Sequence, residues 1–265
     1  MPLTALLPLL AQAASPALAA PPPLEQDQLS LCLEQARTDP SSAIVNASVW
    51  VGESSGPERA FPHQCLGIAY TRLLRWEAAE RAFLAAREAS LPADFSLRAK
   101  FAAMAGNSAL ADGRHETALA DFALASEDAV KGSNTILAGE VEIDRSRALV
   151  ALGREVAAAE ALARARRDAP QNSEGWLLSA TLSRRNGALE DAQAQILTAA
   201  GLDPQNPAIG LEAGVIAVLS GREEAARQSW QSVLALAPGS PEAETAQAYL
   251  EQIGGQAGAE EGTGR

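Results

Sequence analysis

Apolar residues recur along most of this chain at the three- and four-residue spacing of an amphipathic helix. Leu29, Leu33 and Ala36 share one side of a segment from Leu24 to Thr38, and Asp39-Pro40 ends it. Ser41 or Ser42 is placed to cap a second helix reaching about Val51. Towards the other end, Ala243, Ala246, Leu250 and Ile253 face inward along Pro241 to Ile253, while Glu242, Glu244, Glu251 and Gln252 face water. Between these ends the pattern itself repeats. From Pro170 to Pro241 two units of 34 residues follow each other without insertion. They align Gly187 with Gly221, Ala192 with Ala226, Ile196 with Trp230 and Pro204 with Pro238.

Earlier copies keep the same columns at wider spacing. Gly67 and Gly106 are 39 apart, Gly113 and Gly153 are 40 apart, and Gly153 and Gly187 return to 34. The extra residues fall near Ser90 to Asp94 and Val130 to Asn134, where breakers predict longer loops between units. Small residues at Gly67, Gly106, Ser146, Ala180 and Gly214 predict close helix approach, and Phe83, Phe122, Leu162, Ile196 and Trp230 predict the filling between helices. Gly113, Gly153, Gly187 and Gly221 suit a left-handed turn after the first helix of each unit, a position Leu74 takes in the second unit. A fixed period with small, bulky and proline columns in register is the sequence form of a helix–turn–helix array.

Trp176 at the fourth position of its unit, Gly187 at the fifteenth, Ala192 at the twentieth and Pro204 at the thirty-second resemble the tetratricopeptide repeat family. The resemblance implies an all-α fold of helix–turn–helix repeats stacked in a right-handed superhelical α-solenoid. The expected boundaries are a degenerate unit over 26–59, units over 60–98, 99–138, 139–172, 173–206 and 207–240, and a capping helix over 241–253. A Gly-rich, acidic tail over 254–265 is expected to be disordered.

Residues Leu3 to Ala20 are apolar, interrupted by Pro8 and Pro16, and Ala17-Leu18-Ala19 offers small residues to a signal peptidase. This resembles a secretory signal peptide over 1–19, followed by a Pro-rich linker over 20–25. No Lys or Arg precedes the apolar run, so either the amino terminus supplies the charge or the true start lies upstream. The alternative is an Ala/Pro leader on a cytosolic protein. Export makes a disulfide between Cys32 and Cys65, the only two cysteines, the favoured state. The alternative is two small buried apolar residues. Equivalent positions on neighbouring helices lie about 9–10 Å apart, and a bridge needs Cα atoms within about 7 Å. The first unit is therefore expected to be offset.

Composition narrows the partners. Alanine dominates an apolar fraction of 47%, which favours helix, and aromatics are only 4%. The net charge of −12 argues against nucleic acid as partner, because phosphate binding needs a basic footprint. Gly52-Glu53-Ser54-Ser55-Gly56 fits a nucleophile-elbow pattern, yet no strand-like runs build the sheet an elbow needs, so a Ser54 hydrolase is the remote alternative. His63 and His115 stand far apart without a metal-ligand spacing, and no phosphate-cradling loop occurs. No cofactor and no catalytic residue is expected.

The resemblance implies that a protein or peptide lies in the groove lined by the first helix of each unit. The positions that would face it are Gln64, Ile68, Arg72, Lys100, Asn107, Leu110, Glu140, Ile143, Arg147, Glu174, Leu177, Thr181, Arg184, Arg185, Leu211, Val215 and Leu219. Arg147, Arg184 and Arg185 read as a basic cluster suited to a carboxylate, and Leu211, Val215 and Leu219 as an apolar end. The lysine of a chaperone-tail clamp is replaced by Ala103. The expected function is a non-enzymatic interaction scaffold of the bacterial cell envelope, serving assembly of an envelope, secretion or pilus complex. A cytosolic adaptor or co-chaperone is the alternative.

Overall fold

The computed structural model describes residues 23–262, with side chains described over 27–254. The expected signal peptide and the linker up to residue 22 lie outside the described residues. Thirteen α-helices and one 3-10 turn account for the described fold, and no strand occurs among the described residues. Six helix pairs follow in order: α1 (Pro23–Thr38) with α2 (Pro40–Glu53), α3 (Ala60–Arg72) with α4 (Trp76–Ala89), and α5 (Phe95–Ala111) with α6 (His115–Lys131). Then come α7 (Thr135–Ala151) with α8 (Glu155–Asp168), α9 (Ser173–Arg185) with α10 (Leu189–Leu202), and α11 (Pro207–Leu219) with α12 (Glu223–Leu236). The last helix, α13 (Pro241–Gly262), covers α12 and α11. Each helix packs mainly on its partner and on the next unit, which is the contact pattern of an α-solenoid.

Local chemistry explains where the first helices start and stop. The side chains of Asp94, Asn134, Asn172 and Asn206 accept backbone N–H groups at the starts of α5, α7, α9 and α11. Asp39, not Ser41 or Ser42, caps α2, and the backbone N–H of Ser42 is the group it accepts. The first helices of units two to six end in a three-residue turn whose middle residue is left-handed. The N–H of the residue after it returns to a carbonyl five residues back, as from Arg114 to Ala109, Arg154 to Leu149, Ala188 to Ser183 and Arg222 to Ala217.

The widened spacing has a different origin from the one expected. Most of the extra residues extend helices: α5, α6 and α7 each have 17 residues, against 13 or 14 in α9 to α12, while the Ser90–Asp94 connection is a loop only one residue longer than the 203–206 one. Gly132 and Ser133 form one compact turn between α6 and α7, and Asn134 starts the next helix at once. The residues around that turn favour helix as readily as loop, so the breakers marked a single turn. At the C-terminus, α13 likewise runs past Ile253 to Gly262, because Gln256, Ala257, Ala259, Glu260 and Glu261 favour helix on either side of the glycines.

The core is built from the small and bulky columns. The Phe83 ring packs on Gly67, that of Phe122 on Gly106 and that of Trp230 on Gly214, leaving no room for a Cβ at these glycines. Where the bulky residue shrinks to Leu162 or Ile196, the small one grows to Ser146 or Ala180, and all four are buried. At the N-terminal end Cys32 and Cys65 are bridged, with Cα atoms 6.1 Å apart. The expected offset is present. Helix α1 packs on α3 as fully as on α2, whereas later first helices touch one another only lightly.

Candidate functional site

The first helices of units three to six carry a polar ladder from one unit to the next. Asn107 on α5 donates through Nδ2 to Asp144 on α7 at 2.9 Å. Arg147, one turn further along α7, pairs with Asp144 and with Glu174 on α9. Arg184 on α9 donates through Nε to Glu212 on α11 at 2.6 Å. Arg185 reaches Glu155 on α8 at 3.2 Å. Burial pushes the Asp144 carboxyl above the ordinary aspartate value, against the opposing pull of the Asn107 hydrogen bond and of Arg147.

The expected basic cluster is therefore balanced. Each of Arg147, Arg184 and Arg185 meets a carboxylate of this chain, because the period places acids on the facing turns. Glu174 lies 27 residues after Arg147, and Glu212 lies 28 after Arg184. With units of 34 residues, Glu174 falls two helical turns short of the equivalent position, on the same stripe of the next first helix, whereas Glu212 falls one residue further on and about a third of a turn off that stripe. The spacing that marks Glu174 was available in the sequence, and it does not mark Glu212. Asp144 was missed because Arg147 stands on its own helix, and Glu155 because it lies on α8, a second helix.

The pairs differ in how firmly they are held. The side chains of Arg184 and Glu212 are 22% and 13% exposed, so this pair is a structural tie between α9 and α11. Those of Arg185 and Glu155 are 47% and 41% exposed, and such a pair contributes about 0–1 kcal/mol. Another carboxylate can replace Glu155 at little cost.

Beneath Arg147 and Arg185 lies a pocket of about 260 Å³ between α7, α8 and α9. Its walls are Val150, Leu162, Leu178 and Leu182, and Thr181 sits on the same rim as the two arginines. Thr181 turns its hydroxyl to the Leu177 carbonyl, so it presents its methyl face more than a donor. Leu177 packs against the Ile196 cluster instead, and Ile143 is buried in the core against Gly175. Neither faces the pocket. Gln64 and Ile68 are half-buried on α3, and Arg72, Lys100, Asn107 and Glu140 are exposed.

Leu211 and Val215 belong to the C-terminal cluster under α13, where the Leu211 carbonyl accepts the Trp230 indole N–H at 3.1 Å. Val215 and Leu219 also line a separate cleft of about 290 Å³ beside α13. Ser54 is buried and donates its hydroxyl to the Trp50 carbonyl at 2.8 Å, at the end of α2. Among the described residues no group of three or more His, Cys, Asp and Glu side chains is arranged to hold a metal, and no helix is long and apolar enough to cross a membrane.

No protein-family model matches the chain, and no curated protein matches it either. Solved structures do. The crystal structure of PilW, described as a widely conserved type IV pilus biogenesis factor, superposes with a TM-score of 0.66 at 18% identity, covering 84% of this chain and 98% of PilW. PilF of Pseudomonas aeruginosa gives 0.65 at 18% identity, covering 85% of this chain and 97% of PilF. YrrB, described as a TPR protein with an unusual peptide-binding site, gives 0.51 at 20% identity, covering 76% of this chain and 97% of YrrB. The fold is that of a tetratricopeptide-type α-solenoid.

Proposed function

We propose that this chain is a non-enzymatic scaffold of the bacterial cell envelope that grips a segment of another protein along its first helices, in the assembly of an envelope or pilus complex. The observation that carries the proposal is the pocket between α7, α8 and α9, apolar at its base and rimmed by Arg147 and Arg185. An aliphatic or aromatic side chain fills the base, and a carboxylate beside it takes over an arginine from Glu155 or Glu174. The bridged Cys32–Cys65 pair, the signal-like N-terminal residues and the likeness to PilW, a type IV pilus biogenesis factor, support the envelope setting.

The test places a photo-crosslinking residue at Leu178, on the pocket wall, in cells. The expected product is a crosslink to one partner at a segment holding an apolar residue next to Asp or Glu, weakened at least tenfold by the double change Arg147→Gln and Arg185→Gln. A crosslink indifferent to that change removes the pocket from the proposal. Protease protection addresses the setting separately, since a protein retained in the cytosol with Met1 intact ends the envelope part.

A further inference from the structure

The C-terminal end of the solenoid differs from the ladder in two respects. Its cleft, walled by Val215, Val218, Leu219, Trp230, Tyr249 and Ile253, stays open although α13 packs beside it, and Leu219 remains 53% exposed. A cap that only sealed the last unit would cover this leucine. The Trp230 and Tyr249 rings meet with centroids 5.1 Å apart, and the Trp230 N–H is held by the Leu211 carbonyl, so the aromatic floor is fixed.

Charge is the second difference. From Glu223 to Gly262 the sequence has seven glutamates and one cation, Arg227. Arg227 is already committed to Glu223 and to the Ile253 carbonyl. Glu224, Glu242, Glu244 and Glu251 have no basic partner among the described residues, in contrast to the balanced ladder. Glu242 lies two turns before Tyr249 on the same stripe of α13, whereas Glu244 and Glu251 lie on its outer face and add to the negative field of this end. An apolar cleft set in so acidic a segment selects an apolar side chain flanked by cations and repels its acidic counterpart.

We propose that the cleft between α11, α12 and α13 is a second docking site, taking a short segment of a partner protein that carries a leucine- or phenylalanine-type anchor flanked by lysine or arginine. It is independent of the pocket between α7, α8 and α9, whose arginine rim favours the opposite charge.

The test uses the full chain and two fluorescein-labelled synthetic peptides of about ten residues sharing a Leu/Phe centre, one flanked by lysines and one by glutamates. Fluorescence anisotropy at low and moderate salt reads the affinities. The lysine-flanked peptide is expected to bind at least tenfold more tightly than the glutamate-flanked one. Leu219→Lys, at an exposed position, is expected to abolish that binding with the melting temperature unchanged. The triple change Glu242→Gln, Glu244→Gln and Glu251→Gln is expected to erase the preference between peptides, and Arg147→Gln with Arg185→Gln to leave it intact.

Equal affinity for both peptides, or binding that survives Leu219→Lys, overturns the proposal. A sedimentation-velocity dimer dissolved by Leu219→Lys overturns it in favour of a second copy of this chain. Binding that appears only after residues 255–265 are removed assigns the cleft to the chain's own end, and equally overturns it.

Discussion

Leu74 holds, at a φ of 56°, the turn position that glycine occupies in four other units at φ values of 69–77°. A left-handed leucine is strained by contact of its Cβ with the backbone, typically by about 1–2 kcal/mol. Its side chain is 68% exposed, so little packing is lost with it. Leu74→Gly is expected to stabilise by about 0.5–1 kcal/mol after the added freedom of the unfolded chain is subtracted. Urea denaturation with an unchanged slope checks this. Asp121 is a second strained residue, of an electrostatic kind. It is buried on α6, and burial together with the nearby Glu80 charge raises its carboxyl from 3.8 to about 6, with Arg114, itself paired to Glu80, pulling the other way. A raised acid means that folding takes up a proton between pH 3.8 and about 6, so this residue's contribution to stability falls as pH rises through that window. Asp121→Asn is expected to stabilise at pH 7 by about 1–3 kcal/mol and to change little below pH 4. Thermal melts across pH 4–8 decide it, and a pH-independent difference would contradict the assignment.

At the scale of the helix pair, the unit of construction is the match between one small residue and one bulky residue. A Cβ added at Gly106 would come within 2.6 Å of the Phe122 ring, and both sites are fully buried. Gly106→Ala is therefore expected to destabilise by about 1–3 kcal/mol through overpacking. Units four and five solve the same problem with Ser146 opposite Leu162 and Ala180 opposite Ile196. Adding Phe122→Leu to Gly106→Ala should accordingly recover part of the loss, a coupling that a double-mutant cycle measures directly. The pairing was legible in the sequence because its columns recur at a fixed interval. The helix lengths were not. Gly132, Ser133 and Asn134 read as loop formers, yet they compress into one turn because Ser133 adopts φ 53° and Asn134 caps α7 immediately. The groove was half legible. Arg147, Thr181 and Arg185 do meet at one pocket, whereas Ile143 turned inward because Gly175 leaves space for it across the unit boundary.

Over the molecule as described, helices contact others of their own unit or of an adjacent unit, so stability is distributed unit by unit rather than through one core. The Cys32–Cys65 bridge joins α1 to α3, and the cluster around it, with Ala47, Trp50 and Leu66, belongs to the first two units alone. On the two helices of this first unit Leu31, Val45 and Val49 stand exposed. Closing a loop of this length stabilises by roughly 2–4 kcal/mol in the chain-entropy account. In a nearest-neighbour array that increment belongs to the terminal unit and cannot spread far. The double change Cys32→Ala and Cys65→Ala is therefore expected to raise hydrogen exchange in α1 and α2 by one to three orders of magnitude, with α3 intermediate and α7 to α12 unchanged. Exchange followed by mass spectrometry resolves these segments. A uniform loss of protection from α1 to α13 would show the array unfolding as one block, and the unit-by-unit account of its stability would fail.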